Sequence, residues 1–374
     1  MSIIQNALII GGGIGGMCTA IELRKRGIAV DLIEIDPDWR VYGAGITISG
    51  PTLRAFQQVG VIERIMAEGW CADGCDVAGA DGRVVAQLPT PRIAGPNVPG
   101  GGGIMRPVLA RILADATRAS GTQVRLGVSF TGISQHGEQV RVAFTDGTEG
   151  RYDLVVGADG VLSKVREAIF PQAPKPKFTG QGSWRAVVPR PADIVRATMF
   201  MGEHVKAGLN PVSQDEMYLF FLDKRERADY IDPQDWPAIL REELAEFGGV
   251  VGEIRDAFTP ESRIVYRPLA ALMMPAPWHV GRVVLIGDAV HATTPHLASG
   301  AGIAVEDAVV LAEELDAGGS VDEVLLRFSQ RRFERCRLVV ESSVRLGQIE
   351  QEGGSKAEHG QLMRDAMVAL LAPI

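Results

Sequence analysis

Three glycines near the start of the chain have the spacing needed to hold a pyrophosphate. Gly11, Gly13 and Gly16 stand in Asn6-Ala-Leu-Ile-Ile-Gly-Gly-Gly-Ile-Gly-Gly-Met17, in G-x-G-x-x-G order. Gly11 permits a tight turn, Gly13 lacks the Cβ that would block a phosphate, and Gly16 lets a helix pack close to a strand. Glu34 follows at the distance where a carboxylate accepts hydrogen bonds from two ribose hydroxyls and repels a 2′-phosphate. Two further acids, Asp159 in Ala158-Asp159-Gly160 and Asp288 in Gly287-Asp288, each close an apolar run. The chemistry implied by the first group is dinucleotide binding, and that group alone does not choose between FAD and NAD.

Stepping outward, each group needs an element to hold it. Asn6–Ile10 reads as a short buried strand, Met17, Ala20, Ile21 and Leu23 as one side of a helix ending at Gly27, and Ala29–Ile33 as a second strand. The helix start offers free N–H groups and partial positive charge to phosphate. A glycine-bearing loop is expected over 36–50, and a helix over Thr52–Gly60. A hairpin at Asp81-Gly82 joins Cys75–Ala80 to Arg83–Leu88. Residues 89–103 read as a loop whose Gly100–Gly103 run is a flexible turn. A helix follows over Ile104–Ser120, with Pro107 in its first turn. Arg106 at that helix start is unusual, because cations favour the other end. Strands are expected at Val124–Leu126, Phe130–Ser134, Val140–Phe144 and Asp153–Gly160, with a helix starting near Ser163. Residues 175–278 change to strand-like segments (Ser183–Val188, Ala197–Met201, Glu216–Leu222, Ser262–Pro268) with a helix at Trp236–Phe247. That is the pattern of a separate antiparallel sheet that could hold a substrate. A buried strand over 281–288, a helix through Leu315, a long helix over Val321–Ile349 and a short one over Gln361–Leu371 complete the chain.

The 374 residues suffice for two domains. Composition is that of a globular protein, 46% hydrophobic and 22% charged. The net charge of −8 argues against nucleic acid or an anionic membrane as the main partner. No apolar run reaches the ~18 residues of a membrane span. No signal peptide is visible, so the cytoplasm is the expected location. Cys71-x-x-x-Cys75 has no second pair to complete a zinc site, and no metal is expected.

The glycine turn with Glu34, the Ala158-Asp159-Gly160 motif with Ser163 and Arg166, and Gly287-Asp288 with Pro295 and Gly300 occur in the order found in single-component (class A) flavoprotein aromatic hydroxylases, and the chain resembles that family over about half its length. The resemblance implies an α/β fold: a Rossmann-like FAD-binding domain of glutathione-reductase type, an inserted antiparallel substrate domain and C-terminal helices. On that reading 1–70, 100–174 and 279–350 form the FAD domain, 71–99 and 175–278 the substrate domain, and 351–374 a helical tail. It implies non-covalent FAD, with NADH or NADPH and O2 as co-substrates. The expected reaction is hydroxylation of a small hydroxylated aromatic or N-heteroaromatic compound through a flavin C4a-hydroperoxide. The protein's part is to exclude water from that chemistry. Asp288 is expected on a ribityl hydroxyl and Arg106 near the phosphates or ribityl chain. Ala298, Ser299, Gly300, Ala301 and Gly302 are expected to lead backbone N–H groups to the pyrimidine end of the flavin, an oxyanion-hole logic. Asp159 is expected to brace the region joining the two domains, with its motif touching both FAD and the nicotinamide donor. Ile14, Gly15, Ile35, Thr47 and Val128 complete the expected cofactor contacts. The last loop departs from the family's Gly-Gln-Gly-x-Asn form, which keeps backbone contacts and loses those of Gln or Asn.

His296 is the first candidate for meeting substrate, since its counterpart in salicylate- and urate-hydroxylase-like enzymes faces the ring, and a neutral imidazole can take a phenolic proton. Tyr218 and Lys206 fall where urate-hydroxylase-like enzymes place a tyrosine and a cation. Arg185 could bind a carboxylate or brace the sheet. His291 reads as structural, and Phe220, Met199, Met273 and Met274 as packing or pocket lining. Competing readings are a flavin oxidase, dehydrogenase or halogenase on the same fold, or a non-catalytic flavin-binding protein. The Trp-x-Trp-x-Ile stretch of a tryptophan halogenase is lacking. Either a monomer or a homodimer is compatible with the sequence.

Overall fold

The strand Asn6–Ile10 lies in the middle of a six-stranded sheet because residues 7–10 are apolar on both faces and a parallel sheet buries both. The computed structural model describes residues 4–41, 43–203 and 205–374; Tyr42, in the loop expected over 36–50, lies outside them. Asn6–Ile10 pairs in parallel with Ala29–Glu34 on one side and Leu154–Gly157 on the other. Val283–Leu285 extends the sheet beyond Leu154–Gly157, and Gln123–Leu126 beyond Ala29–Glu34. An edge strand, His279–Val280, pairs antiparallel. The helix Ile14–Lys25 packs against Gly300–Asp316 and Arg106–Ala119. Gly16 lets the same helix lie close to the strand Asn6–Ile10: a Cβ there would stand 2.0 Å from the Gly11 carbonyl oxygen.

A seven-stranded sheet holds, in order, Ile264–Ala271, Lys177–Pro189, Glu216–Lys224, Lys206–Pro211, Ala197–Met201, Cys75–Gly79 and Val84–Leu88. It is antiparallel except where Ala197–Met201 runs beside Cys75–Gly79. Its period-2 alternation sorts side chains by face. Trp184, Ala186, Leu219 and Phe221 join a core with Leu240 and Val251 from the covering helices Trp236–Glu243 and Gly249–Asp256 and with Phe247 from the turn between them. Ser183, Arg185, Tyr218 and Phe220 face a cavity instead. The strand Lys206–Pro211 was not expected, because its glycine and proline hide the pattern.

The Gly100–Gly103 stretch differs from the sequence reading. Gly101–Met105 is the central strand of a three-stranded sheet between Gly45–Ser49 and Trp70–Ala72, and the helix begins only at Arg106. The reason is space. A Cβ on Gly103 would sit 2.3 Å from the Pro211 carbonyl oxygen, and one on Gly102 would sit 2.7 Å from that of Trp70. Glycine is used here for close approach of backbones, and flexibility is not involved.

The long helix Val321–Glu352 opens with a reciprocal Ser320–Glu323 capping box and stops at Gly353, whose φ is 63°. The helix Lys356–Leu370 folds back on it through Leu346, Leu362, Met363 and Ala366.

Candidate active site

A cavity of about 970 Å³ runs between the two large sheets. Two helices open onto it without a side-chain cap. Gly13, Ile14 and Gly15 begin one, and Ser299, Gly300 and Ala301 begin the other. Uncapped first turns leave N–H groups and positive potential free for an anion or a developing negative charge. Around Gly13 there is open space, with no protein atom within 4 Å of the place a Cβ would take. Ala298 adopts φ 47°, a left-handed conformation that costs a non-glycine residue energy, in the loop entering the second helix.

Asp288 projects into this cavity from the turn after Val283–Leu285. It is open to the cavity, yet surrounding protein holds its carboxyl above the ordinary value; His291 and Arg106 oppose that effect. Its placement rests on a buried cluster. Asp307 accepts from the Gly287 N–H at 2.9 Å and from Arg332 Nε at 2.8 Å, and lies 2.6 Å from His291 Nε2. Burial opposes ionisation of Asp307, but His291 and Arg332 outweigh it and keep its pKa below normal. His291, Asp307 and Cys336 are close enough to hold a metal, but the Arg332 guanidinium already supplies the positive charge there. His291 thus has the structural place expected for it.

Asp159 does not face the cavity, although Ala158 and Gly160 do. Its carboxylate accepts from Ser163 Oγ and from the N–H groups of Lys164 (2.7 Å) and Val165 (3.0 Å), capping the helix Lys164–Ile169. In that helix Arg166 donates to the carbonyl of Ala289, next to Asp288. Asp159 therefore braces the Asp288 turn through two intermediaries.

Glu34 lies outside the cavity lining, as do Gly11, Gly16, Ile35, Val128 and Gly302. Glu34 accepts from the Gly12 N–H at 2.7 Å and the Asp36 N–H at 2.9 Å, leaving one lone pair on each oxygen. Trp39, which the sequence reading passed over, donates its indole N–H to the Gly12 carbonyl and stacks under Arg118. Val128 donates its N–H to the Glu34 carbonyl, Ile35 is exposed, and Gly302 gives Thr52 room.

Arg106 lies half-buried on the cavity wall. Burial and then the neighbouring Arg185 lower its pKa, while Tyr218 and Asp288 act the other way. The Tyr218 hydroxyl is 2.6 Å from Thr47 Oγ1, which also accepts from Asn210 at 2.9 Å. This chain ties the three-stranded glycine sheet to the seven-stranded one. Thr47, Arg185, Lys206, Tyr218 and His296 all line the cavity.

His296 departs from the direct-base expectation. Its side chain is fully shielded from solvent and both ring nitrogens have partners: Nδ1 lies 2.8 Å from Thr294 Oγ1 and Nε2 lies 3.2 Å from Glu350. Lys206 forms an ion pair with the same Glu350. Glu350, Asn210 and Asp307 were missed because each acts on residues distant in sequence, and Thr294 was missed although its partner His296 is two residues on.

The residues present fit FAD: two open helix starts, a carboxylate between them and an unfilled cradle at Gly13 lie on one cavity. A model of the FAD binding domain family matches residues 5–343. The chain belongs to that family. It is 30% identical over 358 residues to a putative FAD-dependent monooxygenase, YetM, of Bacillus subtilis, covering 95% of this chain and 96% of the relative. It is 34% identical over 350 residues to the 2-heptyl-3-hydroxy-4(1H)-quinolone synthase of Pseudomonas aeruginosa, covering 93% and 90%. Klebsiella pneumoniae HpxO, crystallised with FAD and uric acid, has the same fold, with a TM-score of 0.86 at 24% identity over 98% and 97% of the two chains. This family member is a flavin enzyme, placed by its relatives among FAD-dependent monooxygenases, and no helix among its described residues is long and apolar enough to cross a membrane.

Proposed function

We propose that the chain hydroxylates a small hydroxylated aromatic or N-heteroaromatic compound, with NADH or NADPH as electron donor and O2 as oxygen source. The observation carrying this reading is that one cavity is lined both by groups suited to a flavin and by groups suited to an aromatic substrate. The first are the two helix starts, Asp288 and Arg106, and the second are Arg185, Lys206, Tyr218 and Phe220. The compounds named for the relatives, a quinolone made by one and uric acid bound to another, are N-heteroaromatic and support the same class. Bound FAD would supply hydride acceptance and oxygen activation.

The chain's own residues supply the rest. The N–H groups at Ile14–Gly15 would hold the pyrophosphate, and Asp288 a ribityl hydroxyl. The first turn at Gly300 would stabilise negative charge on the isoalloxazine. Arg185 favours a substrate carrying negative charge, such as a phenolate or carboxylate, while the charge of Lys206 is already met by Glu350, and Phe220 and Met199 give the ring an apolar surface. Segments 75–88 and 177–271 act as the substrate domain, and the remainder up to 350 as the cofactor domain. The test is aerobic NADH and NADPH oxidation by FAD-loaded protein across a panel of hydroxylated aromatics, with product analysis. Substrate-stimulated oxidation coupled to a hydroxylated product supports the reading. Oxidation that no aromatic stimulates removes it in favour of an oxidase or a flavin carrier.

A further inference from the structure

Glu350 sits where three parts of the fold join. From the loop Pro295–Leu297, His296 Nε2 lies 3.2 Å from Oε2; from the C-terminal helix, His359 Nε2 lies 2.9 Å from Oε1. From the seven-stranded sheet come the ammonium of Lys206, in an ion pair, and the side-chain amide of Gln181 at 3.3 Å. These are the titratable and polar groups facing it among the described residues. Burial opposes ionisation of Glu350, but His296, His359 and Lys206 together overcome this and hold its carboxyl well below the ordinary range. It is therefore an anion at neutral pH. One turn earlier, Gly347 leaves the imidazole its place, since a Cβ there would lie 2.9 Å from His296 Cε1.

The other end of His296 meets Thr294, whose Oγ1 is 2.8 Å from Nδ1. Thr294 and His296 both belong to the cavity lining, Thr294 with 1% of its surface exposed and the ring of His296 sealed from solvent. We propose that Thr294, His296 and Glu350 form a hydroxyl–imidazole–carboxylate chain that removes the proton from the ring hydroxyl of a bound substrate, a step that rests on the hydroxylase reading above. Thr294 Oγ accepts the substrate proton as its own passes to Nδ1 of His296. The substrate O–H bond breaks, an N–H bond forms on the imidazole, and no electrons change owner. The tautomer that satisfies both contacts carries its resting proton on Nε2, donated to Glu350, so the ring ends as an imidazolium beside a carboxylate. That is the division of labour of a hydroxyl–histidine–acid triad, with the acid remaining ionised. Glu350 is a positioning residue, and Thr294 is the group that touches substrate.

The test uses FAD-loaded protein and 4-nitrophenol, whose ionisation is read from its absorbance. Bound to the wild type, the phenol should ionise at lower pH than in solution. E350Q should raise the bound midpoint by at least one pH unit, a tenfold loss of anion at fixed pH. T294V should do the same and T294S should restore it. FAD content and circular dichroism establish that each variant is folded. Wild-type midpoints in E350Q and T294V overturn the proposal, as does a wild-type protein that fails to bind or ionise the phenol. If Lys206 alone promotes ionisation, E350Q frees its charge and lowers the midpoint, which also overturns it. Hydroxylation is scored separately. A shifted midpoint with no hydroxylation of any aromatic keeps the chain and removes the hydroxylase reading, and hydroxylation with unshifted midpoints does the reverse.

Discussion

Gly13 and Gly16 are three residues apart, and alanine at each should fail in opposite ways. At Gly13 the backbone has φ −75° and ψ −176°, which alanine adopts freely, and its Cβ would meet no protein atom within 4 Å. G13A apoprotein should therefore be as stable as wild type or gain about 0.4–1 kcal/mol through its less flexible unfolded chain. Its melting temperature should rise by no more than about 4 °C. The same methyl group would occupy the space left for a pyrophosphate. Overpacking of about 1–3 kcal/mol translates into an FAD affinity about 5- to 150-fold weaker. At Gly16 the Cβ would lie 2.0 Å from the Gly11 oxygen and 3.2 Å from Ile9 Cγ2, so helix and strand must part. G16A should lose about 3 kcal/mol or more with or without cofactor. Thermal unfolding of the apoproteins and titration of FAD by flavin fluorescence quenching separate the two. G13A that binds FAD with wild-type affinity, or melts as low as G16A, would refute the assignment of Gly13 to the phosphates.

Three further outcomes are expected. D307A removes the acceptor of Gly287, His291 and Arg332, while Arg332 keeps Glu306 and the Ile303 carbonyl. It should cost about 3 kcal/mol in urea unfolding, the low end for a broken buried ion pair; a loss under 1 kcal/mol would show the cluster to be dispensable. S320A removes one half of the capping box on the long helix and should cost about 1 kcal/mol in the same assay. Because the Glu350 carboxyl lies below its ordinary 4.5 in the folded chain, its contribution to stability is present above that pH and is lost as the pH falls below it. Unfolding free energies of E350Q and wild type measured from about pH 6 to about pH 3 should therefore converge toward the acid end; parallel curves would contradict the shift.

What the sequence reveals is what is local. Gly11–Gly16 and the Asp288 turn are legible because strand, turn and helix are contiguous, so each residue's neighbours are also its neighbours in sequence. Asp159 is legible as a motif, but its capping of Lys164 and Val165 is not, since Asp-Gly reads equally as a turn. Glu350 is illegible: it lies in a helix dense in Arg and Glu that reads as a solvated face, and its partners His296 and Lys206 come from 54 and 144 residues away. His296 was singled out, yet the hydroxyl and carboxylate that occupy its two nitrogens were not. Gly101–Gly103 shows the converse error, because propensity assigns glycine to turns and only the neighbouring backbones reveal a strand.

That glycine strand constrains how this cavity can change. A wall made of backbone has no side chain to shorten, and a replacement at Gly102 or Gly103 adds bulk against Trp70 or Pro211. Variation in ring size or substituents among related proteins must then be absorbed elsewhere in the lining, where Met199, Phe220, Met363 and Met367 present adjustable volume. Attempts to widen substrate range are best directed at those four positions, with the glycines left as the fixed jaw of the vice.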